Sequence, residues 1–158
     1  MGALTGAVLG QTANHLVSAG FSALSTTTEI TFHGLQGKLE RSSNRFIIAV
    51  LHQLEAMDID ARLQTVGSLV NSLEGEMDGD ATFRLALDHV KEAVPPIKEV
   101  LVRIQHELQD HEHRYFATYR APYTDELVAS LERKLKVLDQ RVDVLLKVSN
   151  MRALKRSV

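Results

Sequence analysis

The chain holds seven histidines, and the densest group is His106-Glu107-Leu108-Gln109-Asp110-His111-Glu112-His113. Imidazole and carboxylate at helical spacing are the donors of a transition-metal site. His106, Asp110 and His113 stand at i, i+4 and i+7, one face of a helix. They could share an ion only with a ligand from a second helix. The order is not HExxH, because Asp110 stands where the second histidine would be. Di-metal bundles need Glu and Glu-x-x-His pairs on facing helices, and here Glu107 is followed at that step by Asp110. A solvated polar face is the simpler expectation, with no metal and no cofactor. His15, on the apolar opening segment, reads as a satisfied or interfacial histidine.

Other catalytic chemistry is poorly supplied. There is no cysteine, which excludes a catalytic thiol, a thiolate metal site and a disulfide framework. Ser25-Thr26-Thr27-Thr28 reads as a helix cap. The pairs Asp58/Asp60 and Asp78/Asp80 flank turns, where capping explains them. No phosphate loop, dinucleotide fingerprint or nucleophile elbow occurs. The expectation is that the chain is not an enzyme.

These residues must be carried by elements, and composition bounds what those are. At 158 residues with 44% hydrophobic and 24% charged side chains, the chain can build one globular domain, 1–158, with a real core. A net charge of −2, with 5% aromatics and no Trp, gives no stacking platform for nucleic acid. The basic residues near the end are diluted by Glu132, Asp139 and Asp143, so no nucleic-acid partner is expected.

Charge is unevenly placed. Residues 1–28 contain no Asp, Glu, Lys or Arg, where about seven would fall at the chain's average frequency. Nine acidic residues against three basic ones follow between Glu55 and Glu92. Eight basic against three acidic residues lie between Leu127 and Val158. Two accounts fit. The acidic and basic faces of neighbouring helices attract inside one bundle, or the basic end, with Lys147, Arg152, Lys155 and Arg156, meets anionic lipid headgroups.

The helical period runs through the sequence, and strand signals are poor. The expected fold is all-α, an up-and-down bundle of four to six helices, with 1–28 as an uncharged first helix and 29–158 as the body. The first helix should cover about residues 3–24. Thr26 and Glu29 fit a capping box that starts the second. Its apolar positions are Ile30, Leu35, Leu39, Phe46, Ile47, Val50, Leu51, Leu54 and Met57. Gly34, Gly37 and Ser42-Ser43 predict a kink or a short loop. Asp58 and Asp60 should cap a third helix with the stripe Leu63, Val66, Leu69, Val70 and Leu73. Asp80 should cap a fourth, with Phe83, Leu87, Val90 and Val94 inward. Pro95-Pro96 starts a fifth, carrying Ile97, Val100, Leu101, Ile104 and Leu108. The last begins near Thr124. In it Val128, Leu131, Leu135, Leu138, Val142 and Leu145 form a 3-4 seam for lengthwise packing.

The opening segment reads MGALTGAVLGQTANHLVSAGFSAL. Gly2, Gly6 and Gly10 form GxxxGxxxG, and with Ala13, Val17 and Gly20 they fall on one stripe roughly 80° wide at about 100° per residue. Leu4, Val8, Leu9 and Leu16 lie on the other side. Small side chains let another helix backbone come close, which in lipid supplies the van der Waals contact that hydrophobicity cannot. Each interior glycine also costs about 1 kcal/mol of helix propensity. Either the stripe packs tightly in a bundle core, or the segment self-associates and enters membrane. A signal peptide is not expected, because there is no basic start and polar residues interrupt the apolar run. Nor is a constitutive transmembrane helix expected, with Gln11, Thr12, Asn14 and His15 at its centre. It lacks the Ser or Thr at position 6 of a myristoylation signal.

An initial glycine zipper without charge, ahead of an α-helical bundle, resembles the membrane-attacking domains of regulated cell-death proteins. These are the HeLo-like domains of fungi and their bacterial counterparts. More distantly, they include the four-helix N-terminal domains of powdery-mildew-resistance-type plant immune receptors and of mixed-lineage-kinase-like executioners. Gly6-Ala7-Val8-Leu9-Gly10 looks like the small-residue start of the plant proteins. Lys134, Lys136, Arg141, Lys147, Arg152, Lys155 and Arg156 match in part the basic cluster of such executioners. The resemblance implies a cytoplasmic chain recruited to a membrane. An upstream sensor would drive homo-oligomers there, and the opening helix would leave the bundle, pair through its glycines and enter the bilayer. The alternative is a soluble helical adaptor that offers the 128–145 seam to a partner helix.

Overall fold

Apolar residues at three- and four-residue steps need a common interior, and the computed structural model shows where each stripe finds it. It describes residues 21, 26–75, 80–114 and 117–157. Of the expected first helix only Phe21 is among them, helical and buried; its glycines and His15 lie outside. The helices are α1 (residues 26–40), α2 (Arg45–Ala56), α3 (Ile59–Glu74), α4 (Ala81–Glu92), α5 (Val94–Glu112) and α6 (Asp125–Arg156), with a 3-10 turn at Ala117–Tyr119. No strand occurs among the described residues. The fold is an all-α helical bundle.

One continuous core joins Phe21, all six helices and the residue between α4 and α5, Ala93. Helix α6, about 48 Å long at 1.5 Å per residue, packs along both α4 and α5, which pack on each other. The seam does this: Val128, Leu131, Leu135, Leu138 and Leu145 are buried, while Val142 is half-buried. The inward sets expected for α4 and α5 are all buried. In α3, Leu63, Val66, Val70 and Leu73 are buried and Leu69 partly so.

Local chemistry sets the boundaries. Asp80 caps α4 by accepting from the backbone N–H of Thr82 (3.0 Å) and Phe83 (3.2 Å), where aspartate also meets the positive end of the helix dipole. Pro95 and Pro96 open α5, where their missing N–H groups have no intrahelical partner to lose. The break expected at Gly34, Gly37 or the serine pair falls at the serines: 26–40 is helical through both glycines, and residues 42–44 form the loop.

Three expectations need correcting. Thr26, assigned to the cap of the capping box, is itself helical. Ile30, assigned to the inner stripe, is exposed, and Phe32 is buried instead. Asp58 sits before α3 but makes no side-chain cap; its φ of 51° gives the sharp α2–α3 corner. Asp and Asn tolerate that left-handed conformation better than most residues. Asp60 ties α3 to α1 through His33 Nε2 at 3.1 Å.

Asn44 holds two parts of the fold. Its Oδ1 accepts from Phe46 N–H at 2.9 Å, capping α2, and its Nδ2 donates to the Ala117 carbonyl at 3.1 Å. Asn44→Ala removes both bonds. It is expected to lower stability by about 1–2 kcal/mol in urea unfolding, the scale of a cap plus a tertiary hydrogen bond. A loss within about 0.5 kcal/mol, the range of ordinary surface substitutions, would contradict this account.

Candidate functional site

The glycine stripe Gly2, Gly6 and Gly10 and the apolar set Leu4, Val8, Leu9, Leu16 and Val17 lie outside the described residues. The structure does place the seam, the basic end and the histidine group.

The seam is consumed by the chain's own bundle, against α4 and α5. It leaves nothing for a partner helix in this conformation.

The four basic residues assigned to headgroup contact separate into two environments. Lys147, Lys155 and Arg156 are exposed. Arg152 is only 8% exposed, and its guanidinium carbon lies 4.8 Å from the centre of the Phe83 ring. A cation over an aromatic face gains from the ring quadrupole, and Arg stacks well because its planar guanidinium is weakly hydrated. Here Arg152 fastens the end of α6 to the start of α4 and is not presented to solvent.

Attraction between an acidic middle and a basic end is not what the salt bridges between described residues display. Arg62, from the acidic stretch, meets Asp139, from the basic one, at 2.7 Å. Glu74 and Lys91 both come from the acidic stretch and pair in a largely buried position, 9% and 11% exposed at the side chain. Arg141 donates to the His89 carbonyl at 2.6 Å.

His106, Asp110 and His113 are exposed on the end of α5, and His113 donates from Nδ1 to the Gln109 carbonyl at 2.8 Å. Among the described residues no group of three His, Asp or Glu side chains is placed to hold an ion. The residue that sequence reasoning passed over is His111. It is 2% exposed and donates from Nε2 to the Ala117 carbonyl at 3.0 Å, the same oxygen that Asn44 reaches. A carbonyl accepts only, so His111 Nε2 carries a proton in this bond. One oxygen therefore gathers the start of α2, the end of α5 and the turn before α6. That role is structural.

A second feature missed from the sequence lies on the outside of α6. Val137, Val144 and Met151 are 41%, 51% and 55% exposed. They follow each other at seven-residue steps. Val137, Gln140, Arg141 and Val144 form one wall of an open groove, and Ala86 and His89 of α4 form the other. The sequence marked the inward seam of α6 correctly; the second stripe, at seven-residue steps on the outside, went unread.

No helix among the described residues is long and apolar enough to cross a membrane. No protein-family model, no curated protein and no solved structure matches this chain.

Proposed function

We propose that this chain is an oligomerising, membrane-perturbing effector domain of the cell-death type. Its opening segment is the part that enters lipid, and its bundle is the part that carries and releases it. One observation carries the reading: 28 uncharged residues headed by GxxxGxxxG, in a chain in which a quarter of residues are otherwise charged. Small-residue stripes let helices pair closely in lipid, and a run without ionised groups avoids the cost of placing charge there. The exposed cations Lys147, Lys155 and Arg156 add attraction to an anionic leaflet of about 1 kcal/mol each. The working place is the cytoplasmic face of a membrane, reached when an upstream sensor clusters the chain.

The adaptor alternative loses the surface first assigned to it, since the 128–145 seam is occupied within the bundle.

The test is dye release from vesicles of phosphatidylcholine and phosphatidylserine, with the full chain tethered densely to their surface. The expected result is release that Gly6→Leu and Gly10→Leu each abolish, because a leucine on the stripe holds paired backbones apart. Circular dichroism of the variants confirms that the bundle remains folded. Intact vesicles at high surface density, or release indifferent to both substitutions, would overturn the proposal.

A further inference from the structure

The α4–α6 groove offers a binding surface that uses none of the opening glycines. We propose that it docks one acidic amphipathic helix from a partner protein, along Val137, Val144 and Met151.

Three features of the stripe point to a helix. Apolar residues at seven-residue steps match the spacing at which one helix lays knobs into another. At about 100° per residue the stripe lies roughly 140° around α6 from the buried seam, so α6 has two apolar faces and only one is used inside. The surface is also concave at Val137 and Val144, where Ala86 and His89 of α4 line the same groove, and Met151 continues the stripe beyond it. A rod fits such a groove better than a planar bilayer does. A lipid surface is further disfavoured because α6 contains no Trp, Tyr or Phe, the residues that anchor at membrane interfaces.

Charge selects the partner's chemistry. Between Arg133 and Lys155 the stripe is flanked by Arg133, Lys147 and Lys155, all exposed. From Arg133 to Lys155 no acidic residue falls on that face; Glu126 shares it, three turns before Val137 and outside the groove lining. Asp143 stands about 100° away, and Asp139 is further round and pairs with Arg62. The basic flank has no counterpart in net composition, because the whole chain carries −2. Glutamates at the e and g positions of a docked helix would meet these cations, and such flanking pairs set partner choice in helix association.

The probe is a fluorescently labelled designed helix of about three heptads, with Leu at a and d and Glu at e and g. A counterpart carries Lys at e and g. Binding to the full chain is followed by anisotropy. The Glu helix is expected to bind at least about tenfold more tightly than the Lys helix, with affinity falling as salt rises. Val144→Glu should weaken it by about tenfold or more, and Lys147→Glu combined with Lys155→Glu by about tenfold. All three side chains are exposed, so thermal melts should hardly move. Equal affinity for the two helices, or indifference to Val144→Glu, overturns the proposal. Self-association of the chain that Val144→Glu removes would make a second copy the occupant. Capture by anionic vesicles, lost with the same variant, would make it a bilayer. Either outcome also overturns the assignment to a partner helix. Vesicle leakage through the glycine stripe can succeed or fail independently of these, because tethering the chain to the vesicle replaces the pull of Lys147 and Lys155 on the leaflet.

Discussion

Replacing Phe83 with alanine is expected to destabilise the bundle by about 3–5 kcal/mol, lowering the melting midpoint by roughly 10 °C for a domain of this size. Phe83 is 2% exposed and stands in the first turn of α4. It meets the core on one side and the Arg152 guanidinium on its ring. Alanine removes the ring's burial and leaves a cavity that α4 and α6 cannot readily close, since they pack along their length. It also strips the aromatic face from a largely buried cation. Phe83→Leu separates the two contributions: it keeps apolar volume and loses the ring face. The cation–π share should appear as a coupling of about 0.5–2 kcal/mol between Phe83→Leu and Arg152→Met in a double-mutant cycle. Methionine retains the packing of the arginine stem. Chemical unfolding of the four proteins measures all of this. A Phe83→Ala midpoint within the range of a surface substitution would show that α4 and α6 are not joined here as described.

Arg152 also shows where the sequence stops being informative. The α6 seam steps 138, 145 and then 152, so the helical period itself marks position 152 as inward. Reading the residue type instead of the phase put Arg152 on the surface with Lys147 and Lys155. The pairing with Phe83 comes from a residue 69 positions earlier, and no local pattern encodes it. Ile30 teaches the same point from the apolar side. Thr28, Phe32, Leu35 and Leu39 are buried and lie on one face, and Ile30 falls opposite them. Its side chain was apolar but its phase was wrong. Elements whose cues are local were legible. Asp80 caps the helix that follows it, the proline pair opens α5, and the serine pair breaks α1 from α2. For the candidate site, the seven-residue steps at Val137, Val144 and Met151 were legible in principle. The unbroken 3-4 spacing marked the 128–145 seam as the inward one, whereas whether any neighbouring helix covers the opposite stripe is a matter of tertiary packing that no local pattern encodes.

Lys91→Met is expected to cost about 3–5 kcal/mol, whereas the double replacement Lys91→Met with Glu74→Leu should cost far less and come close to neutral. Glu74 and Lys91 join the end of α3 to the last turn of α4, both largely shielded from water. Their mutual attraction offsets two desolvation penalties, so the intact pair contributes little net stability. Losing one partner is a different matter. Glu74 is the final residue of α3, where the helix dipole already presents partial negative charge. Without Lys91 its carboxylate would sit largely buried beside unpaired carbonyls, with the full penalty of an uncompensated ion. Lys91 in turn lies in the last turn of α4, where a cation is favoured by that helix's own dipole. The asymmetry predicts that Glu74→Leu alone is less harmful than Lys91→Met alone. Urea unfolding of the two single variants and the double variant reads the ordering directly. A double variant as unstable as Lys91→Met, or single variants of equal small effect, would mean that the pair is solvated and that α3 is not fixed to α4 at this point.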